Sequence, residues 1–191
     1  MSDVQQKWDQ RYREVIGSYP EPALVLQQNQ HLLPKQGHAL DLACGLGANA
    51  LLLTKLGLQT QAWDISNEAL AKLSAEAQRR QLDVRTEQRD VSTEPPAENS
   101  FDVIVVSHFL DRQLCSQLVK ALKPNGLMFY QTFCRDKVDN KGPQNPEFLL
   151  ADNELLSLFA GLKIRAYREE SLLGDITQGW RNQAMLVAQK S

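Results

Sequence analysis

Residues 39–53, ALDLACGLGANALLL, constrain the fold of this chain more than any other segment, because they join an apolar strand to an apolar helix through a glycine-rich turn. Residues 38–43 predict a short parallel strand, and residues 50–56 predict a helix. Gly45 and Gly47 carry no side chain that would keep a ligand away from the backbone of the turn. A helix that begins at such a turn is expected to direct free backbone N–H groups at the ligand. The segment therefore predicts a site for a nucleotide-like ligand.

The spacing of the glycines leaves the identity of that ligand open. Gly45, Gly47 and Ala50 fit the G-x-G-x-x-G/A pattern of dinucleotide enzymes. Asp41 stands four positions before Gly45, at the carboxyl end of the strand, where a pyrophosphate would meet a like charge. S-adenosylmethionine carries a sulfonium and an ammonium and no phosphate, so Asp41 favours it on grounds of charge. The alternative is that Asp41 only caps the turn or the helix that follows.

The composition predicts one globular domain without an obligate nucleic-acid partner. The 191 residues are 42% hydrophobic and 23% charged, which suffices for a full core. The 21 basic residues against 23 acidic ones give a net charge of -2, and no long basic run is present. The N-terminus lacks an apolar signal segment and no apolar run approaches about 18 residues, so a cytoplasmic protein without a membrane span is expected. Three scattered cysteines predict neither disulfides nor a metal site.

Strand-like runs alternate with helical patterns, which is typical of a doubly wound α/β sheet. Strands are predicted at residues 38–43, 58–64, 83–88, 101–107 and 126–133, and helices at 50–56, 67–80 and 111–122. The runs 162–169 and 183–189 are separated by about a dozen polar residues, too few for a helical crossover, and predict an antiparallel pair at one edge. The predicted fold is a seven-stranded, mostly parallel sheet with an antiparallel last strand.

An ordered set of motifs covers nearly the whole chain. The motifs are DLACGLGAN, AWDIS, RDVS, FDVIVVS and LKPNGLMFYQTF. In this order they resemble the class I S-adenosylmethionine-dependent methyltransferases. The resemblance implies one methyltransferase domain over residues 1–191, with an N-terminal helical lid segment at 1–37 and a Rossmann-like core at 38–191. WDQRY, DLACG and NPEFLL are similar to a bacterial small-molecule branch that includes tellurite-resistance and thiopurine-type methyltransferases.

This resemblance implies a role for each matching residue in binding S-adenosylmethionine. Asp41 would bind the methionine ammonium or order water there, and Asp64 would accept hydrogen bonds from both ribose hydroxyls. Asp90 would accept from the adenine amine, the Val91 N–H would donate to the ring, and Ile65 would pack on its face. Asp90 as a turn residue at the strand end is the alternative. The other residues that the resemblance implies in cofactor binding are Ala43, Gly45, Gly47, Asn49 and Ser107.

Three residues depart from the family pattern. Ala43 and Asn125 stand where the family usually has glycine, and Leu46 replaces a small hydroxyl residue. Asn tolerates a left-handed backbone conformation better than most residues, so the turn that contains Asn125 is expected to form.

Acceptor chemistry is indicated by the residues after the fourth predicted strand. Ser107, His108, Phe109 and Leu110 replace the Asn/Asp-Pro-Pro-aromatic box of many amino and nucleobase methylases, which argues against a nitrogen acceptor of that kind. His108 is the candidate catalytic residue, because a histidine can accept a proton near neutral pH. The alternative is that His108 bonds the methionine end of the cofactor or is structural.

Two segments outside the predicted sheet are candidates to cover the site. Trp8, Arg11 and Tyr12 share a helical face and would either clamp the cofactor carboxylate through Arg11 or pack the helix onto the sheet. Residues 134–146 form a polar, turn-rich loop, which predicts a mobile flap. Trp180 is either an aromatic on the acceptor side or a plug at the sheet edge.

The sequence thus predicts methyl transfer from S-adenosylmethionine to a small-molecule acceptor, with S-adenosylhomocysteine as the product. A thiol or a selenium or tellurium oxyanion is favoured, since a thiol with a pKa of about 8.5 ionises without a strong base. An NAD-linked oxidoreductase and a non-catalytic S-adenosylmethionine-binding module are the alternatives. A monomer or a homodimer is expected.

Overall fold

Strands and helices alternate along the chain in the order that the sequence predicts. The computed structural model describes residues 2–191, and its strands are β1 (His38–Leu42), β2 (Gln59–Asp64), β3 (Val84–Gln88), β4 (Phe101–Ser107), β5 (Leu122–Phe133), β6 (Lys163–Arg168) and β7 (Gln183–Gln189). The α-helices are α1 (Asp3–Arg13), α2 (Leu24–Asn29), α3 (Ala48–Lys55), α4 (Asn67–Arg79), α5 (Cys115–Ala121) and α6 (Glu154–Leu158). Short 3-10 helices cover Gln30–Leu32 and Pro146–Phe148.

The strands form one sheet in the order β3-β2-β1-β4-β5-β7-β6. The pairs from β3 to β5 are parallel, whereas β7 runs antiparallel to both β5 and β6. This confirms the predicted fold class. The last strand lies between β5 and β6, so β6 forms the edge of the sheet on this side, and β3 forms the opposite edge.

Some element boundaries differ from the prediction for local reasons. The helix predicted at 111–122 begins only at Cys115, because the Asp111 carboxylate accepts the N–H groups of Gln113 and Leu114 and forms a turn first. The strand predicted at 126–133 already begins at Leu122. Asn125 adopts the left-handed conformation with φ +65°, as expected for its turn.

Alternate side chains of the central strands enter two apolar cores on opposite faces of the sheet. One core contains Leu40, Ile104 and Met128 together with residues of α5 and α6. The other contains Val105 and Phe129 together with residues of α2 and α3. Both faces of the central strands are therefore buried, as is usual for a parallel sheet.

The adjacent strands β1 and β4 mark the place where the direction of the chain through the sheet changes. From β1 the chain continues to β2 and β3 on one side, and from β4 to β5 on the other side. Ligands of open α/β sheets bind beyond the carboxyl ends of the strands at such a point. The glycine-rich turn follows β1 and His108 follows β4, so both lie there.

The N-terminal helix α1 is attached to the start of α4 by a buried carboxylate. Asp9 accepts a hydrogen bond from the Ser66 hydroxyl at 2.6 Å and from the Glu68 N–H at 3.3 Å. Desolvation is the largest single influence and would raise the pKa of Asp9, but these bonds, the bond from Gln5 and the charge of Arg13 together outweigh it and lower the pKa. Within residues 2–191, no helix has the length and apolar character needed to span a membrane.

We expect Asp9→Ala to release α1 from α4. Loss of a capping carboxylate costs about 1–2 kcal/mol. Amide hydrogen exchange should therefore become faster in α1 than in the sheet, which mass spectrometry of peptic fragments can measure. Asp3→Ala is the matched control, because Asp3 lies exposed in the first turn of the same helix. Equal exchange of α1 in the wild type and in Asp9→Ala would contradict the role of Asp9.

Candidate active site

The turn between β1 and α3 has three residues in the left-handed conformation. The φ angles are +52° at Ala43, +54° at Gly45 and +72° at Gly47. A Cβ at Gly45 would lie 2.5 Å from the Tyr12 hydroxyl oxygen, and one at Gly47 would lie 2.4 Å from a methyl group of Leu73. The two glycines therefore let the N-terminal helix and α4 approach this turn.

Asp41 lies fully buried beneath the turn and caps α3. One carboxylate oxygen accepts the Ala50 N–H at 3.0 Å, and the other accepts the side-chain amide of Asn49 at 3.3 Å. The capping contact considered for Asp41 is thus present. The expectation that the N–H groups of this helix N-terminus are free is wrong for Ala50, because a side chain of β1 already takes that donor.

Asn49 connects Asp41 to the end of β4 and to the N-terminal segment. Its amide nitrogen also donates to the Ser107 hydroxyl at 3.1 Å. Its amide oxygen accepts the Ala23 N–H at 2.8 Å. All hydrogen-bonding groups of this buried side chain are engaged, so the orientation of its amide is fixed.

Asp64, at the end of β2, holds the other side of the turn. Its carboxylate accepts the Gly45 N–H at 2.7 Å and the Ser66 N–H at 2.9 Å. A bond from the Ile65 N–H also favours the charged form of this carboxylate. The two oxygens together have about four acceptor positions, so not all of them are taken by the backbone.

The two carboxylates Asp41 and Asp64 share an electrostatic environment without a basic partner. Burial raises the pKa of Asp41 to about 7, with a smaller contribution from the charge of Asp64 and opposed by the bonds from Asn49 and Ala50. Burial also raises the pKa of Asp64. Across residues 2–191, neither carboxylate forms an ion pair with a lysine or an arginine. A cationic ligand would supply the charge that the chain does not.

The residues predicted to contact the adenine of the cofactor lie directly after the carboxyl ends of β2 and β3. Ile65 is half-buried directly after Asp64, and Val91 is buried. The Asp90 carboxylate accepts the Ser92 N–H at 3.1 Å, which is the turn contact considered as its alternative. The Arg89 N–H donates to the Asp64 carbonyl at 2.9 Å, so the two strand ends lie side by side.

Tyr12, rather than Arg11, approaches the turn from the N-terminal helix. Burial and the charge of Asp64 raise the pKa of the Tyr12 phenol, whose ring stacks on Trp8 with centroids 5.8 Å apart. The exposed Arg11 places its guanidinium 5.3 Å from the centre of the Trp8 ring. The hydroxyl of Tyr19 also donates to the Leu46 carbonyl of the turn.

His108 directly follows β4 and has the left-handed φ of +57°. Its N–H donates to the Gln131 carbonyl at 2.8 Å, and its ring lies 5.2 Å from that of Phe133. Desolvation lowers the pKa of His108, and the polar side chain of Gln183 partly offsets this effect. Part of the residue is exposed to solvent, so the ring is accessible at the carboxyl end of the sheet.

The loop at 134–146 is attached to the residue before β7. The Val138 N–H donates to the Asn182 side-chain oxygen at 2.7 Å, and the Asn182 amide donates to Asp139 at 2.8 Å. Trp180 is buried against the α2 side of the sheet, in agreement with the interpretation as a plug. The predicted mobility of the loop stays a prediction.

The sequence and the fold were compared with those of known proteins. Residues 39–126 match the family described as a methyltransferase domain. The chain is 29% identical over 136 residues to the probable S-adenosyl-L-methionine-dependent methyltransferase TehB of Haemophilus influenzae, a region that covers 68% of this chain and 47% of that protein. It therefore spans about half the length of this curated relative.

Solved structures with the same fold cover nearly the whole chain. The crystal structure of TehB from Haemophilus influenzae matches with a TM-score of 0.72 at 23% identity, over 98% of this chain and 67% of that one. A structure described as the conversion of a disulfide bond into a thioacetal group during echinomycin biosynthesis matches with a TM-score of 0.72 at 20% identity, over 98% and 92% of the two chains.

These matches support the class I S-adenosylmethionine-dependent methyltransferases, the family that the sequence motifs indicated, and with it the cofactor S-adenosylmethionine. The region matched by the family includes Asp41, Asp64, Asp90 and His108, whereas α1 and the strands after residue 126 lie outside it.

Some residues that lie at the candidate site were not among the site residues predicted from the sequence. Tyr12 was placed on a helical face but not at the turn, although it lies four residues after Trp8 and so faces the same way. Gln131 carried a signal, because it is a polar residue within the apolar strand LMFYQTF. Gln183, at the start of β7, carried no such signal in the sequence.

The burial of Asp41 makes the stability of this chain depend on pH. Because its pKa is about 7 in the folded chain and 3.8 ordinarily, the folded chain keeps this proton between about pH 4 and pH 7, where the unfolded chain loses it. The contribution of Asp41 to the free energy of unfolding therefore falls as the pH rises through this window. We expect the stability of Asp41→Asn relative to the wild type to rise as the pH rises from about 4 to about 7, measured by urea denaturation.

Ser107→Ala is the control for this measurement, because Ser107 contacts the same Asn49 side chain but has no titratable group. Its difference from the wild type should not change with pH. A constant difference between Asp41→Asn and the wild type over the same pH range would show that Asp41 does not hold a proton in the folded chain.

Proposed function

We propose that this chain transfers the methyl group of S-adenosylmethionine to a small, soft acceptor, either a thiol or a selenium or tellurium oxyanion. The observation that carries the proposal is the pair of buried carboxylates, Asp41 and Asp64, at a glycine-rich turn without a basic partner in residues 2–191. S-adenosylmethionine supplies an electrophilic methyl group on a sulfonium, together with an ammonium and a ribose diol.

The residues around the turn divide the binding of this cofactor between them. Asp64 would accept the ribose hydroxyls at the acceptor positions that its backbone donors leave open. Asp41 would act through the charge that it carries below the turn when ionised, because it is fully buried and cannot be reached by the ligand. Asp90, Val91 and Ile65 would hold the adenine, and Trp8 and Arg11 would close over the methionine end together with Tyr12.

The same turn argues against a dinucleotide. A pyrophosphate at a helix N-terminus needs free backbone N–H groups and a favourable potential. In this chain Asp41 takes the Ala50 N–H and adds negative charge at the same place. An NAD-linked oxidoreductase is therefore the weaker alternative.

A thiol acceptor fits the weak base available at the end of β4. The pKa of His108 lies below its usual value, so its ring is neutral at physiological pH and able to take a proton. The sulfur lone pair of the thiol would form the new bond to the methyl carbon, the bond from that carbon to the sulfonium would break with its electron pair staying on the cofactor, and the thiol proton would pass to His108. In selenite or tellurite the lone pair of the chalcogen would attack in the same way, without a proton to remove.

The similarity to TehB supports this class of acceptor. The motifs WDQRY, DLACG and NPEFLL are similar to the bacterial branch that includes tellurite-resistance methyltransferases, and TehB of Haemophilus influenzae is a relative at 29% identity. The solved structure of TehB has the same fold over 98% of this chain.

Binding of the cofactor product is expected to depend on Asp64. Loss of hydrogen bonds to a charged group costs about 1.5–3 kcal/mol, so Asp64→Ala should weaken binding of S-adenosylhomocysteine by about 10- to 100-fold in calorimetry. Asp83→Ala is the control, because Asp83 is exposed directly before β3 and so lies at the opposite edge of the sheet from the carboxyl ends that form the site. Binding of NADH in preference to S-adenosylhomocysteine would refute the proposed cofactor site.

Turnover is expected with at least one soft acceptor. A panel of small thiols together with selenite and tellurite would be incubated with S-adenosylmethionine, and formation of S-adenosylhomocysteine followed by mass spectrometry. Asp64→Ala serves as the control for cofactor-dependent turnover. Tight binding of S-adenosylhomocysteine without turnover of any acceptor would favour the non-catalytic binding module instead.

A further inference from the structure

The side chain of Lys72, on α4, caps the carboxyl end of α1. Its ammonium nitrogen donates to the carbonyl oxygens of Tyr12 at 2.5 Å, Val15 at 2.9 Å and Arg13 at 3.4 Å. The last carbonyl groups of a helix have no partner within that helix, and a cation near them also interacts favourably with the helix dipole. A lysine of one helix thus supplies the C-terminal cap of another.

The carbonyl groups of α1 engage every donor of the Lys72 ammonium. A lysine ammonium has three N–H donors and no acceptor. Each donor faces a carbonyl oxygen of the chain, so none is left to bind the carboxylate of a ligand. Lys72 can therefore act on the candidate site only through α1.

One of the residues held in this way reaches the glycine-rich turn. A Cβ at Gly45 would lie 2.5 Å from the Tyr12 hydroxyl oxygen, and the Gly45 N–H donates to Asp64, so the phenol and this carboxylate meet at the same residue. Burial and the charge of Asp64 raise the pKa of the phenol, which keeps its proton. Within residues 2–191, the hydrogen bonds of Tyr12 involve its backbone and not its hydroxyl. Tyr12 therefore presents an unused donor at the turn.

The helix α4 is a common reference for the turn and for α1. A Cβ at Gly47 would lie 2.4 Å from a methyl group of Leu73, so α4 packs against the turn. The adjacent Lys72 holds the carboxyl end of α1, and the Ser66 hydroxyl before α4 donates to Asp9, about one helical turn earlier in α1. The position of α1 over the turn is therefore set by contacts within the chain.

We propose that Lys72 is a positioning residue for the cofactor, because it holds the Tyr12 hydroxyl over the glycine-rich turn without contacting the ligand itself. This inference rests on the proposed cofactor site at that turn. A segment that is already ordered in the free chain loses less conformational entropy on binding. The affinity for S-adenosylmethionine should therefore depend on how firmly Lys72 holds α1.

A purely structural cap would behave differently from a positioning residue. Loss of a structural cap would weaken ligand binding by the same factor whether or not Tyr12 carries its hydroxyl. A positioning role requires coupling, because the release of α1 has less to disturb once the hydroxyl has been removed. Single and double variants of Lys72 and Tyr12 therefore separate the two roles.

Calorimetric titration with S-adenosylhomocysteine measures this coupling in the wild type, Lys72→Met, Tyr12→Phe and the double variant. Lys72→Met keeps an unbranched side chain and removes its charge. It should weaken binding by about 5- to 10-fold in the wild type and by less than about 2-fold in Tyr12→Phe. Lys55→Met is the matched control, because Lys55 is exposed in the last turn of α3, and it should bind as the wild type does. Equal losses from Lys72→Met in both backgrounds would overturn the inference.

The ligand-free chain gives a second measurement. Amide hydrogen exchange in residues 10–18 should be faster in Lys72→Met than in the wild type, while exchange in β1 and β4 stays the same. Unchanged exchange in residues 10–18 would show that Lys72 does not hold α1, and would overturn the inference.

Asp9→Ala keeps the inference testable if Lys72→Met does not fold. This variant releases the same helix from its other contact with α4. It should also weaken binding of S-adenosylhomocysteine more in the wild type than in Tyr12→Phe. Equal losses in the two backgrounds would again contradict a positioning role of the α1 contacts.

The failures of the two proposals are distinguishable. If the wild type does not bind S-adenosylhomocysteine, the proposed cofactor site is wrong and the positioning role falls with it, whatever the exchange of α1. If the wild type binds and Lys72→Met binds equally well, only the positioning role is wrong.

Discussion

The burial of the Asp41 carboxylate is the interaction on which the rest of the site depends. A buried carboxylate is tolerated only where hydrogen bonds replace its hydration, and here Asn49 and the Ala50 N–H provide them. Those bonds start α3 directly after the glycine-rich turn and orient the Asn49 amide toward Ser107 and the Ala23 N–H. One carboxylate thus connects β1, α3, β4 and the N-terminal segment, and it leaves a negative potential that no basic residue of the described chain neutralises.

The N-terminal segment covers both halves of the site because it is bonded to each of them. The Tyr19 hydroxyl donates to the turn after β1, and the backbone N–H groups of Ala23 and Val25 donate to Asn49 and Gln131. Ahead of these contacts, Asp9 fixes α1 to the start of α4. A displacement of this segment would therefore disturb the surroundings of Asn49 and those of Gln131 together.

The sheet was predictable from the sequence because the patterns that specify its strands are each contained in a short stretch of the chain. The apolar runs at β1, β4 and β7 and the spacing of Gly45 from Asp64 need only short stretches of chain to be recognised. The polar network was not predictable in the same way. Gln131 contacts Gln183 only because β7 inserts beside β5 in one register, and its bond to Val25 spans 106 positions in sequence. The preference for Tyr12 over Arg11 at the turn likewise depends on how α1 docks, which helical spacing does not specify.

The separation of charge in the site indicates where rate acceleration must arise. In the proposed function Asp41 and Asp64 would act on the ammonium and the ribose of the cofactor, which are the same before and after methyl transfer. Their interactions would stabilise the bound ground state and the transition state equally, and so favour binding without raising kcat. The acceptor side differs, because an uncharged His108 ring gains an interaction only as the thiol proton moves to it. Gln131 and Gln183, which bond each other on neighbouring strands, are neutral and add no fixed charge on that side.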